Sequence, residues 1–205
     1  DKPANSTACI EVWAGDALLI DNSGSMNGEV NADTAQSGGH QIAWIDLVAR
    51  GDITIKNDNT DSYVVHANEE NLTNSTGGII TVRSRDGRVT TSNNAIQANA
   101  TRSGSRGGTV IVEAGSDLIF GMASIQAKGA NSGGGAQAGG TISAQSNGKI
   151  TGNAPGELNA DGGSGVKPGT VTLQGCSMDY TGTVTPAPAT IFLVCQAIDV
   201  EKLVH

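Results

Sequence analysis

Aromatic side chains are nearly absent from this chain, at 3% of 205 residues: two Trp, two Tyr and two Phe. That scarcity disfavours an ordinary α/β enzyme core, which packs around large rings. It also limits sugar stacking to Trp13, Trp44, Tyr63 and Tyr180. Lys and Arg are few and scattered, and the net charge is −8. Without a basic stripe to neutralise phosphates, nucleic acid is excluded as the expected partner. No apolar run approaches the roughly 18 residues of a membrane-spanning helix. The sequence opens at Asp1 with no charged-then-apolar leader, so a signal peptide is expected to have been removed or not included. The three cysteines, Cys9, Cys176 and Cys195, form no CxxC pair and stand at no metal-ligand spacing from histidine.

What is abundant is glycine, at 29 residues, with Ser, Asn and Thr around it. An apolar content of 37% suffices for a core, so this composition reads as short strands and tight turns rather than disorder. Self-similarity follows at a period of about thirty residues. Gly107-Gly108-Thr109-Val110-Ile111-Val112 is echoed by Gly139-Gly140-Thr141-Ile142-Ser143-Ala144, preceded by Gly77-Gly78-Ile79-Ile80-Thr81-Val82 and followed by Gly169-Thr170-Val171-Thr172-Leu173.

Aligned on the first apolar position, the strand recurs at Ile10, Ile45, Ile80, Val110, Ile142, Val171 and Ile191. A second apolar residue follows two places on, and a small one (Ala14, Ala49, Ser84, Ala114, Ser146, Gly175, Cys195) two further. Period-two spacing marks a strand with one buried face, and the small residue marks a crowded corner. After a Gly or Asp turn a second strand opens at Leu18, Ile53, Leu118 and Ile150. A third reads apolar-x-Ala from Val30, Val65, Ile96, Ile125 and Leu158, and runs into a Gly/Ser loop. The expected fold is therefore all-β: a right-handed parallel β-helix, or solenoid, of about six coils of about thirty residues with three short strands per coil. Extra length falls in the loops 20–30 and 56–65. A β-sandwich would instead show hairpin turns and no thirty-residue repeat.

This grammar of apolar-x-Ala-x-Gly, Gly/Ser loop, then Gly-Gly-Thr-apolar-x-apolar resembles the glycine-rich parallel β-helix repeats of large bacterial surface proteins and filamentous-haemagglutinin-like adhesins. The likeness spans roughly residues 8–175 and is clearest over 77–175. It implies a secreted, structural or adhesive protein at the cell surface without catalytic residues. The chain departs from that group in being short, so a stalk requires subunits to stack.

Residues 1–175 are expected to form the solenoid with an N-terminal cap segment, and 176–205 a C-terminal coil and cap. The latter stretch breaks the repeat and holds the most apolar run, Ile191-Phe192-Leu193-Val194. Phe192 and Val194 fall on its outward face, so Ile191, Phe192 and Val194 are expected at an interface, covered by the tail 198–204 or by another copy. Cys195 takes the corner one coil above Gly175, which places Cys176 diagonally beside it and suggests a disulfide clamp. Cys9, at the far end of the column, is either a buried thiol or a link to a neighbouring copy. Head-to-tail stacking of copies gives a filament.

Other constellations are weaker. Asp21-Asn22-Ser23-Gly24-Ser25-Met26 matches the metal-ion motif of von Willebrand A domains locally, without the helices of that fold. It reads as a polar loop, with calcium binding through Asp21, Ser23, Ser25 and Glu29 as the alternative. Asn57, Asn59 and Asp61 repeat the alternate-oxygen spacing. No cofactor other than calcium is implied. His40, His66 and His205 have no acid or nucleophile at a catalytic spacing, and no enzyme is expected. Polysaccharide lyases and hydrolases of the β-helix class need clustered carboxylates facing basic residues. Arg83, Arg85 and Arg88 adjoin Asp86, yet the sequence shows no stacked carboxylates opposite them. Polysaccharide remains a conceivable ligand of a carbohydrate-binding module. Ice binding needs an unbroken Thr ladder, and Ile111 and Ser143 interrupt Thr81 and Thr172.

Overall fold

The computed structural model describes residues 8–23, 29–34, 43–58, 62–69, 75–102, 104–122, 124–130, 138–162, 167–186 and 190–195. Among them every regular element is a strand and every pairing is parallel. The first sheet holds β1 (Ala8–Ala14), β4 (Ala43–Ala49), β7 (Ile79–Ser84), β10 (Thr109–Ala114), β13 (Thr141–Ser146), β16 (Thr170–Gly175) and β19 (Thr190–Leu193), in that order. The second holds β2 (Leu18–Asn22), β5 (Ile53–Asn57), β8 (Val89–Thr91), β11 (Leu118–Phe120), β14 (Lys149–Gly152) and β17 (Ser177–Tyr180). The third holds β3 (Val30–Asn31), β6 (Val65–His66), β9 (Asn94–Gln97), β12 (Ser124–Gln126), β15 (Glu157–Asn159) and β18 (Thr183–Thr185). Consecutive strands go to different sheets and every third strand returns to its own. This is a parallel β-solenoid.

The register follows the repeat. Ile10 pairs with Ile45, Ile45 with Ile80, Ile80 with Val110, Val110 with Ile142 and Ile142 with Val171. These inward residues stack into continuous apolar columns, and from Ile45 to Ile142 each is fully buried. Each such side chain contributes about 1.5–3 kcal/mol by leaving water, but only because the coils above and below supply the contacts. Leu18, Ile53, Val89, Leu118, Ile150 and Met178 form the second column, and Val30, Val65, Ile96, Ile125, Leu158 and Val184 the third.

The two sequence signatures, x-Ala and Gly-Gly-Thr, meet at one corner. Gly140 N–H donates to Ala127 O at 2.8 Å, and Gly108 N–H donates to Ala98 O at 2.8 Å. Each bond closes the Gly/Ser loop that leads from the third sheet back to the first. A Cβ on Gly140 would overlap the Gly108 and Ala127 carbonyl oxygens, so the close approach requires glycine.

Two expectations at the C-terminal end change. The repeat does not break after 175: β17 and β18 continue the second and third sheets in register with β14 and β15. Met178 and Val184 keep the inward apolar positions although the Ala that follows the third strand in earlier coils is replaced by Pro186. Tyr180 turns inward over Gly152, which makes room by having no Cβ, and meets Phe120 edge-on at 6.2 Å. Burial, with a lesser push from Glu157, raises its phenol to about 12.

The last strand is also shifted. Ile191 pairs with Leu173 and Leu193 with Gly175, two residues away from the expected alignment of Ile191 with Val171 and Cys195 with Gly175. A shift of two keeps each side chain on its face, so the apolar pattern alone could not tell the two registers apart. Cys195 therefore lies beyond the corner, and Leu193 occupies it. The expected disulfide is not formed: Cys176 and Cys195 are free thiols.

Candidate functional site

The outer face of the first sheet presents three rows of side chains. The row nearest the corner runs Trp13, Val48, Arg83, Glu113, Gln145 and Gln174. The middle row runs Glu11, Asp46, Thr81, Ile111, Ser143 and Thr172. The alternation of the strands fixes these rows, since every outward residue is two from the next on its strand and directly above its register partner.

At the N-terminal end of the first row lies a groove of about 210 Å³. Trp13, Val48 and Arg83 line it from three successive strands, and Arg50 and Arg85 line it from the turn just past the corner. Trp13 is 60% exposed. Arg50 Nε donates to Asp86 Oδ2 at 3.1 Å, and Arg83 Nε donates to Glu113 Oε2 at 2.6 Å. The Arg83–Glu113 pair is largely buried, whereas Arg50 and Asp86 are both exposed.

Carboxylates do stack beside these arginines, contrary to expectation. Glu11 sits directly over Asp46, and Asp46 and Glu113 both interact with Arg83. The sequence had only the run Arg83 to Arg88 to offer, in which Asp86 is the sole acid, and partners thirty residues away were invisible in it. They become readable once Glu11 is aligned on Asp46 through the repeat. Asp46 is 9% exposed and its Oδ1 has no hydrogen-bond partner. Burial pushes its carboxyl above the usual range; Arg83 pulls the other way, and Glu11 and Glu113 reinforce the rise. Thr81 and Thr172 share the middle row with Ile111 and Ser143 between them, as the repeat indicates.

A second polar cluster lies on the third sheet. His66 Nδ1 is 2.8 Å from Asp33 Oδ2, and His66 Nε2 is 3.2 Å from Glu29 Oε2. Asp33 Oδ1 also accepts the Asn68 N–H at 2.6 Å; Asn68 Oδ1 accepts from Asn99 N–H and Asn99 Oδ1 from Lys128 N–H. A ladder of side-chain oxygens thus ties successive coils at one corner.

Of the candidate calcium ligands, Asp21, Ser23, Glu29 and Asn57 are among the described residues. Glu29 is engaged by His66. The Ser23 hydroxyl, and after it the Ser23 N–H at 2.8 Å from Oδ1, hydrogen-bond the Asp21 carboxylate and hold it below the usual range. Asn57, expected as a ligand in an exposed turn, is fully buried instead. Its amide donates to Ser62 O and Asn94 O and accepts from Asn22, because the turn position faces the interior between the second and third sheets. Ser25, Asn59 and Asp61 lie outside the described residues, as does the tail 198–204 expected as a cover. Among the described residues no group of three His, Cys, Asp or Glu stands close enough to hold a metal ion, and no helix is long and apolar enough to cross a membrane.

Of the expected interface residues, Ile191 is 54% exposed, Phe192 is exposed, and Val194 is half-buried. Cys9 is exposed on the N-terminal edge strand, not buried. No protein-family model matches the chain, and no curated protein and no solved structure matches it.

Proposed function

We propose that this chain is an extracellular structural or adhesive surface protein, without enzymatic activity, that joins copies of itself head to tail through its terminal strands. In this reading it is a right-handed solenoid of six coils. Parallel crossovers in one sheet are right-handed in about 98% of cases, and the second and third sheets hold six strands each.

The observation that carries the reading is the state of the two ends. Among the described residues β19 pairs on one side, with β16, and Ile191 and Leu193 are exposed. At the other end the inward-facing Ile10, Val12, Leu18 and Ile20 are only partly buried, whereas Ile45, Leu47, Ile53 and Ile55 at the same positions one strand on are wholly buried. An apolar column left half wet gains most from a further coil, and an unpaired edge is a template for another chain. Such an end-to-end contact is heterologous and does not close, so it propagates as a filament.

The ends are stepped, since the first sheet has one strand more than the others. A copy seated flush on β19 would leave one strand spacing, about 4.8 Å, open over β17 and β18. Successive copies therefore meet rotated about the column axis, with β1 landing over β17. Cys9, exposed on β1, lies at this junction.

Negative-stain electron microscopy of the native protein, before and after reduction, tests the reading. Filaments whose axial rise is near one column, roughly 29 Å for six strands, are expected. Uniform single particles under both conditions would overturn it. A second reading, a saccharide-binding module, is favoured by the groove at Trp13.

A further inference from the structure

We infer that the groove over Trp13 binds a sugar carrying a carboxylate, a uronic-acid unit of an acidic polysaccharide. The inference does not depend on self-assembly. Trp13 offers an exposed indole and Val48 an apolar neighbour on the next strand, a platform suited to the C–H face of a pyranose ring. A volume of about 210 Å³ holds one sugar unit, less than the pockets of larger ligands occupy.

The charged groups lining the groove are all arginines: Arg50, Arg83 and Arg85. No carboxylate lines the groove, although Glu113 and Asp86 pair with these arginines from just outside it. Arg50 spends its Nε on Asp86, and Arg83 spends its Nε on Glu113. Neither guanidinium makes a further hydrogen bond among the described residues, so the terminal nitrogens of both stay available. Those nitrogens form the planar fork that matches a carboxylate. The two existing ion pairs hold the guanidinia in place beforehand, so little side-chain freedom is lost when the anion arrives. A ring resting on Trp13 with its carboxylate toward Arg50 and Arg83 uses both features at once. A neutral sugar leaves the fork empty, and a flat apolar ligand leaves it dehydrated.

The test is titration of the full chain with trigalacturonate, followed by tryptophan fluorescence and calorimetry. Maltotriose serves as the neutral control and sulfated maltotriose as the tetrahedral-anion control. Saturable binding of trigalacturonate alone is expected, weakening with salt. Trp13→Ala should abolish it, and Arg50→Gln should weaken it about tenfold or more, the effect of losing a hydrogen bond to a charged group. Lys149→Gln, on the second sheet, should leave it unchanged. Should Trp13→Ala lose the circular-dichroism signature of the strands, the exposed Arg50→Gln decides alone. No saturable signal from natively folded protein would overturn the inference, as would equal binding of either control or undiminished binding by Arg50→Gln. Filaments are scored on the same preparation, so loss of one result leaves the other standing.

Discussion

His66 Nδ1 stands 2.8 Å from Asp33 Oδ2, one strand away in the third sheet, while its other nitrogen reaches Glu29. Burial pulls the imidazolium down, and the two carboxylates more than offset that, so its pKa lies above 6.5. The stability this group contributes is fully present below the unfolded value of about 6.5 and is lost as pH rises through the higher folded value. The melting temperature should therefore fall as pH rises above about 6.5, by about 2–4 °C for each kcal/mol lost. His66→Gln should flatten that slope, and thermal melts from pH 5.5 to 8.5 on both proteins check it.

Asp46 shifts stability with pH in the same direction, but through a penalty on its charged form rather than a gain from it. Its folded pKa is raised by burial, so ionisation is penalised in the fold and the penalty is relieved as pH falls through that value. Asp46→Asn removes the charge and should stabilise by about 1 kcal/mol, read as a higher denaturant midpoint at pH 7.

Arg83 and Glu113 form a largely buried pair, so removing one partner strands the other. Arg83→Gln should cost about 1–3 kcal/mol, less than for a wholly buried pair because some water reaches both. The double variant Arg83→Met with Glu113→Leu should recover most of the loss. Urea melts of the three proteins test this.

The glycines at the corner separate two kinds of site. Gly140→Ala drives a Cβ into two carbonyl oxygens and should cost about 3 kcal/mol or prevent folding. Gly15→Ala meets nothing within 4 Å and should stay within about 0.5 kcal/mol of the parent. Expression and thermal melts of the pair distinguish the two.

The thiols give a direct count. Three free thiols per unfolded chain are expected, since no disulfide is formed. In the folded protein, Cys9 and Cys195 are exposed and should react first. Cys176 should lag, because the hydrogen bond with the Cys195 thiol, with burial reinforcing it, raises its pKa and lowers its thiolate fraction. A count of one would mean that the two C-terminal cysteines oxidise to each other.

The repeat itself was legible in the sequence. The inward positions from Ile10 to Val171 and from Val30 to Leu158 pair as the repeat aligns them, because the small corner residue and the Gly-Gly and x-Ala signatures fix the register that period-two spacing alone leaves open. The Gly-Gly and x-Ala signatures were legible too, though the hydrogen bond that makes them one device, Gly140 to Ala127, was not.

What only the tertiary structure decided is how residues one coil apart meet. The register of β19 was ambiguous because a slip of two residues costs no change of face. Asn57 looked like an exposed ligand until the turn carried its amide inside. Trp13, Val48 and Arg83 form one row, and Glu11 and Asp46 another, solely because a coil returns each strand directly over the last. The sequence by itself determined which side chains face the core, since burial depends on a local period. The partners of the polar side chains depend on the rise and closure of each coil, which loops of unequal length set, and these only the folded column decides.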